Sequence, residues 1–473
     1  MKRILFVGFW LITLAFNSTG QQIWSLERCV EHARQNSLAL KQDMIGVERA
    51  RLSTIRAQHN LYPNLSANVN YRLNFGRTID PTTNAFETQS IGQSSEGLST
   101  GMVLFNGGAL RNGISQSKIN YETSKLDVQQ FSDDLALSVV QYYLAILFAE
   151  ERLDNARIQV QTTTQQLDQI DKLIKAGSKP EGDRLEILAQ QAREEQNIIT
   201  YQNNVNSNKL ALKQLLRLPS DEDFNISRPN PNALQPSLSQ EDINTIFDYA
   251  TNNRADMKSA DLKVKSAELG VKIQKAAYLP TLTIGGNLNS AYSSLGKRIT
   301  GFKEVKTPLK VDFNGQQAVI DIYNESPITE KNPYFNQFNQ NLGYGAGLGL
   351  SIPIYSNYVA KSNVKNAELN VESAKLTSEQ NKQALKNNIQ TALNDYESAK
   401  NSYEAAKRTS AAQQLAYNNT KTKFDLGSAN TFELVSSKNR LDMALVEEVL
   451  ARYDLIFRSK VIDYYMGRSI TLN

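Results

Sequence analysis

Few residues in this chain have the types and spacing that chemistry needs. Cys29 is the single cysteine, and His32 and His59 are the only histidines among 473 residues. One thiol excludes an intrachain disulfide and any multi-cysteine metal centre. The two histidines lack the His-Glu-x-x-His spacing that sets two imidazoles and a base on one helical face, so no metal site is expected. Gly343, Gly345, Gly347 and Gly349 could suggest a loop that cradles phosphate. Their strict period of two, with Tyr344, Ala346, Leu348 and Leu350 between them, fits a strand better. Nothing names a nucleophile, a general base or a cofactor site, so the chain reads as no enzyme and as needing no cofactor. At 21% charged residues and a formal net charge of +4, the balance gives no reason to expect nucleic acid.

The elements that would position any site are more informative. Lys2 and Arg3, the apolar stretch Ile4 to Phe16 and the small residues Ser18-Thr19-Gly20 read as a secretory signal over 1–20. Cys29 follows Glu27 and Arg28, without the small and apolar residues that a lipoprotein signal places before its cysteine, so no N-terminal lipid anchor is expected. Beyond the signal no run of ~18 consecutive apolar residues offers a spanning helix. The remainder reads as one plan used twice. A shift of 217 carries Ala33, Asn36, Lys41, Ala50, Leu52, Pro63 and Leu65 onto identical residues, and a shift of 250 carries Gly177-Ser178 onto Gly427-Ser428. The expected division is a first repeat over 21–217, a Pro-rich linker over 218–240, and a second repeat over 241–473 with a longer loop at about 294–340.

Within each repeat the apolar residues recur by alternating steps of four and three. Leu135, Val139, Tyr142, Ile146, Ala149, Leu153, Ala156, Val160, Thr163, Leu167, Ile170 and Ile174 form one such seam, and the same frame 250 residues later runs from Leu385 to Phe424. That seven-residue period marks a coiled coil. All 12 prolines fall outside 107–176, 183–217, 241–278, 356–426 and 431–466, which are free to run helical. Gly177 and Gly427 are suited to stopping helices. A helix of ~70 residues is on the order of 100 Å long, which suits a rod or tube.

Between the helices the period changes to two. Leu65, Ala67, Val69, Tyr71, Leu73 and Phe75 alternate with polar residues, and Leu342 to Ile352 alternate with glycines. Looser alternation runs over 98–105 and 282–292. Strands of ~10 residues with one apolar face match transmembrane β-strands. Four strands cannot close a barrel, and an open edge in lipid leaves backbone groups unsatisfied. Copies must share the barrel: eight strands from two, or twelve from three.

This combination resembles the TolC-like outer-membrane efflux protein family. The resemblance rests on the signal segment, the helix–strand–strand–helix–helix plan used twice, and the phrases Leu104-Phe105-Asn106-Gly107-Gly108 and Pro353-Ile354-Tyr355-Ser356-Asn357. It rests also on the turns Ala176-Gly177-Ser178 and Leu426-Gly427-Ser428, each with a carboxylate six residues after its glycine, Asp183 and Glu433. The resemblance implies a mainly α fold with a small β part: long antiparallel coiled-coil helices forming a periplasmic tunnel, and four strands per protomer in a shared 12-stranded outer-membrane barrel of a homotrimer. It implies an exit duct for efflux or type I secretion, in outer-membrane lipid, joined through a periplasmic adaptor protein to an inner-membrane pump. It would place Gly177, Ser178, Gly427 and Ser428 at adaptor-contacting tips, and Asp183, Phe424 and Glu433 at a tunnel constriction. Phe424, Ala429 and Ser436 depart from a tyrosine–arginine–aspartate lock found in the family. For Asp183 and Glu433 the plainer reading is a carboxylate favoured by a helix N-terminus. The competing function is a periplasmic coiled-coil adaptor or structural rod, which would lack membrane strands.

Overall fold

A computed structural model describes residues 23–79, 84–88, 90–219, 223–228, 242–313 and 315–468. The signal segment and most of the Pro-rich linker lie outside these residues. The chain runs through β1 (Ile23–Trp24), α1 (Leu26–Asn36), α2 (Leu38–His59), β2 (Asn64–Asn74), β3 (Arg77–Ile79), β4 (Phe86–Thr88) and β5 (Ile91–Asn106). Then come α3 (Ala109–Lys175), α4 (Glu181–Leu216), β6 (Asn225–Ile226), α5 (Ile243–Asn253) and α6 (Ala255–Lys275), which ends in a 3-10 turn. The remaining elements are β7 (Thr281–Ser293), β8 (Lys297–Phe313), β9 (Gln316–Lys331), α7 (Tyr334–Gln340), β10 (Gly343–Ser351), α8 (Val359–Asp425) and α9 (Thr431–Tyr465). The fold is mainly α with a smaller β part, as expected. The segment 241–278 is not one helix: Arg254 is extended between α5 and α6, and its guanidinium is held by Asp256 and Tyr464.

The chain divides into two compact units. Among the described residues, one comprises 23–50, those of 120–264 and 373–468, and is helical apart from the short β1–β6 pairing and connecting turns. Its cores follow the seam. Val139, Ile146, Ala149, Leu153, Ala156 and Ile170 are buried on α3, as are Leu385, Ile389, Ala392, Tyr396 and Ala399 on α8. Tyr142 departs from the expected pattern: it is exposed, and Tyr143 is buried instead, with its hydroxyl donating to the Ser227 carbonyl at 2.7 Å. Here α3 also packs against α1, the end of α4 and β6, so Val140, Tyr143, Leu144 and Leu147 join a second apolar stripe. That double stripe makes part of α3 apolar enough by composition to cross a membrane, although the sequence offers no unbroken apolar run. Its apolar residues are used in this core.

Polar residues on the seams mark where carboxylates reach in. Thr163 is fully buried and donates to Glu194 of α4 at 2.6 Å, while Ser410 hydrogen-bonds Glu448 of α9. Glu194 also accepts from the Lys438 ammonium at 2.6 Å, and both side chains are only 3% exposed. Asp442 lies 3.2 Å from the same ammonium. Burial pushes the Asp442 carboxyl above the usual range, against the pull of Lys438. This ion set is one layer of buried charge in the bundle, and Lys460 with Asp463 forms another.

The other unit comprises 51–119 and 265–372 and carries the sheet. Its four principal strands run in the order β10–β7–β5–β2, every neighbour antiparallel. The segment 294–340, expected as a loop, is instead the β8–β9 hairpin followed by α7. Its richness in Asn, Lys and aromatic residues suggests a loop in sequence, and its prolines do not prevent a two-stranded ribbon, which tolerates proline wherever the missing N–H faces outward.

Candidate functional site: the helical tips and the open sheet

The two helical turns close by the same backbone motif. At the end of α3 the Gly177 N–H donates to the Ile174 carbonyl and the Ser178 N–H to Leu173, both at 2.9 Å. At the end of α8 the Gly427 N–H donates to Phe424 and the Ser428 N–H to Lys423. These pairs satisfy the last helical carbonyls and require a left-handed residue, and the glycines have φ of +74° and +77°. The next helix then begins at a fixed distance. Pro180 and Asn430 are the N-caps, so Asp183 and Glu433 both occupy the third helical position. The shared six-residue spacing is therefore the length of a helix stop plus a helix start.

The capping differs between the two. Asn430 accepts from the Glu433 N–H at 2.8 Å, and its amide donates back to the Glu433 carboxylate at 3.1 Å. Pro180 has no side-chain cap, and Asp183 lies 4.0 Å from the Lys179 ammonium. Lys179 also stands over the Phe424 ring at 4.7 Å, and Gln169 donates to Asp425 at 2.9 Å, so the ends of α3 and α8 are joined. Gly177, Ser178, Gly427, Ser428 and Glu433 are exposed, while Asp183 is partly buried. Phe424, expected at a constriction, is only 4% exposed and packs with Ile170, Ile187, Tyr417, Leu434 and Val435. Within one copy, its place on the seam puts the ring in the tip's own core. Reading by motif missed two neighbours, Leu426 and Phe432, which are exposed apolar residues flanking the second turn. Both fall off the heptad seam, which was the available signal.

Gly427→Val should loosen the second tip by about 1–2 kcal/mol or more, because an L residue is strained in the left-handed region and β-branching adds to this. Gly182, inside α4 with open space around it, is the control. Gly182→Ala should be neutral or stabilise by about 0.5–1 kcal/mol. Thermal unfolding followed by helical circular dichroism separates the two.

The sheet sorts its side chains by face. Paired residues share a face, which puts Leu65, Leu98, Met102, Ile284, Leu288, Tyr344, Leu348 and Leu350 on one side. Asn64, Ser66, Asn68, Ser99, Asn287, Asn289 and the four alternating glycines lie on the other. Two of these glycines are closely packed: a Cβ at Gly345 would stand 3.0 Å from the Asn287 amide and one at Gly349 2.9 Å from the Thr283 hydroxyl, whereas Gly347 has open space. The apolar face is bare, with Leu65 70%, Leu348 70% and Tyr344 86% exposed. Strands β2 and β10 each have one neighbour, so both edges of the sheet are open.

Helices that reverse at two glycine turns of one backbone form, and an antiparallel sheet with open edges and an uncovered aliphatic face, are the features that mark the chain's class. The family pattern described as outer membrane efflux protein matches residues 29–216 and 247–467, and the chain belongs to that family. Among solved structures it is similar to CusC, a transmembrane channel, with a TM-score of 0.75 and 16% identity over 94% of this chain and 92% of that one. It is 23% identical over 304 residues to the probable outer membrane lipoprotein SilC of Salmonella typhimurium, covering 61% of this chain and 62% of that protein. It is 25% identical over 273 residues to toxin and drug export protein A of Aggregatibacter actinomycetemcomitans, covering 57% of each. The chain thus aligns with only about three fifths of the length of these two relatives.

Proposed function

We propose that this chain is the outer-membrane exit duct of an efflux or type I secretion system, a passive conduit built from three copies. The observation that carries the reading is the open sheet with its bare apolar face. In water that face has no place, whereas in a bilayer it meets lipid and only the strand edges need partners. With four antiparallel strands per copy, β10 of one copy runs antiparallel to β2 of the next, so the ladder closes without a break. Three copies give twelve strands, with the Asn, Ser and Gly face lining water. Strands of 9 to 16 residues reach the length a tilted membrane strand needs. The repeated division at 21–217 and 241–473 supports the same picture, each repeat supplying two strands and one capped helical turn.

The exposed turns at Gly177-Ser178 and Gly427-Ser428, with Leu426 and Phe432, suit contact with a periplasmic adaptor that couples the duct to an inner-membrane pump. Asp183 and Glu433, at equivalent helical positions, would form rings of negative charge at the narrow end. A periplasmic rod or adaptor would have no use for the uncovered aliphatic sheet.

The test is fractionation. The protein should resist high-salt washing of membranes, extract with detergent, and give a trimer mass by light scattering. In planar bilayers, Glu433→Gln should lower cation selectivity. Release by salt, or a monomer in detergent, would defeat the duct; unchanged selectivity would remove Glu433 from the constriction.

A further inference from the structure

The β8–β9 hairpin is amphipathic, and among the described residues none covers its apolar face. Its register puts Val305, Leu309, Ile320, Ile322 and Ile328 on one side, between 37% and 52% exposed, with Lys303 the single charged residue among them. Glu304, Lys306, Lys310, Asp321 and Glu325 lie on the other, interspersed with Phe302, Val319 and Tyr323, so this second face is mixed and strongly charged. Strands of 17 and 16 residues make a ribbon on the order of 50 Å long. A lone two-stranded ribbon is marginal in water, so a face of this kind implies an occupant.

Three observations narrow what that occupant is. First, the ribbon leaves the sheet between β7 and β10, and β10 is the open edge that needs a neighbouring copy. Every copy therefore delivers an identical hairpin to the same rim. Second, its base is fixed. The Gln337 side chain is 2% exposed, and its amide accepts from the Ser293 N–H at 3.0 Å. It also donates to the Ser293 and Asn332 carbonyls at 2.9 and 2.8 Å, tying both ends of the hairpin together. Gly296 leaves room for that amide, since a Cβ there would approach it to 2.6 Å. The Gly92 N–H donates to the Ser294 hydroxyl and the Ser294 N–H to the Gly92 carbonyl, which pins the base to β5. Third, each free edge carries a proline, Pro308 on β8 and Pro327 on β9. A proline held in a ladder turns its missing N–H away from the partner strand, so both outer edges are spoiled for strand addition. Contact by the face remains.

We infer that the occupant is the same face of the other copies, so that three hairpins meet over the outer mouth of the barrel and cap the duct. This rests on the trimeric duct reading. A 12-stranded barrel is roughly 24 Å across, so a ribbon of this length reaches its axis easily. Cyclic symmetry lets three identical aliphatic faces cover one another while the charged faces stay in water.

The experiment uses the full chain in outer membranes, with Cys29→Ala as background and one new cysteine at a time. Oxidation should convert Leu309→Cys and Ile320→Cys to disulfide-linked dimers in more than half of the trimers that contain them. Glu304→Cys and Lys310→Cys, on the opposite face, should link at least 5-fold less. Leu309→Asp combined with Ile320→Asp should raise single-channel conductance at least 2-fold by parting the cap. If the protein is a trimer by light scattering and the Leu309→Cys thiols stay free, the cap is overturned. Reaction with an aqueous maleimide would then mean a bare face, and protection by the membrane would mean a lipid-facing one. Unchanged conductance in the aspartate variant also overturns it. Loss of the trimer itself would instead strike the duct reading beneath it.

Discussion

Glu194→Gln should destabilise the helical unit by about 3–5 kcal/mol, the usual consequence of removing one partner from a buried ion pair. Lys438 and Glu194 are almost fully sequestered, so the substitution leaves an ammonium in the bundle interior. Asp442 stays as the one carboxylate beside that ammonium, at 3.2 Å, so the loss should fall toward the lower end of this range. Thr163 can turn its hydroxyl to the Gln159 carbonyl at 3.1 Å, and Gln190 keeps Asn439, so the loss belongs mainly to the charge. The triple variant Glu194→Leu, Lys438→Met, Asp442→Leu should recover most of the stability, since apolar residues of similar size need no partners. Urea unfolding in detergent, followed by helical circular dichroism, gives both values. A loss below about 1 kcal/mol for Glu194→Gln would mean that water or relaxation compensates Lys438. If the triple variant is stable but assembles in a shifted helix pairing, the ion set serves as a register device, a role buried polar residues also play in coiled coils.

That ion set shows where reading the sequence stopped. The seam was legible because burial on a helix repeats every three to four residues, and Ile146, Leu153, Ile170 and Ile389 are buried where the period puts them. Lys438 and Glu194 obey no such period, and a lysine inside a bundle looks like any surface lysine until its partner from another helix is known. Tyr142 failed for a related reason. Where a third layer packs on α3, the apolar stripe widens and the heptad no longer decides which tyrosine turns in. The tips were legible as chain reversals, since glycine at a left-handed position followed by a capping start is a local requirement. Phe424 was legible as a seam residue, and it is buried in the tip's core as the period puts it. In the sheet, strict alternation announced β2 and β10. The hairpin at 297–331 hid behind Gly301, Pro308 and Pro327, which break the pattern without breaking the ribbon.

The apolar sheet face yields the other large effect. Leu65 sits on an edge strand, opposite Thr100, near the middle of the band that runs from Leu350 and Leu282 to Tyr344 and Leu288. Under the barrel reading its side chain is in hydrocarbon, and an arginine near the bilayer midplane costs about 2–4 kcal/mol. Three copies share one barrel, so the penalty is paid three times in a single assembly. Leu65→Arg should therefore abolish recovery of a detergent-resistant trimer, and Leu348→Arg on the other edge should behave alike. Asn68→Arg places the same charge on the opposite face, which would line water, and should leave the trimer intact with altered conductance. The pairing of outcomes decides the matter, because β2 is exposed on both faces of the isolated chain and a soluble protein would tolerate arginine equally on either. Equal survival of Leu65→Arg and Asn68→Arg in washed membranes would remove lipid from that face. Loss of Leu65→Arg alone would fix the orientation of the strand, aliphatic side outward, and with it the water-filled interior that a passive duct requires.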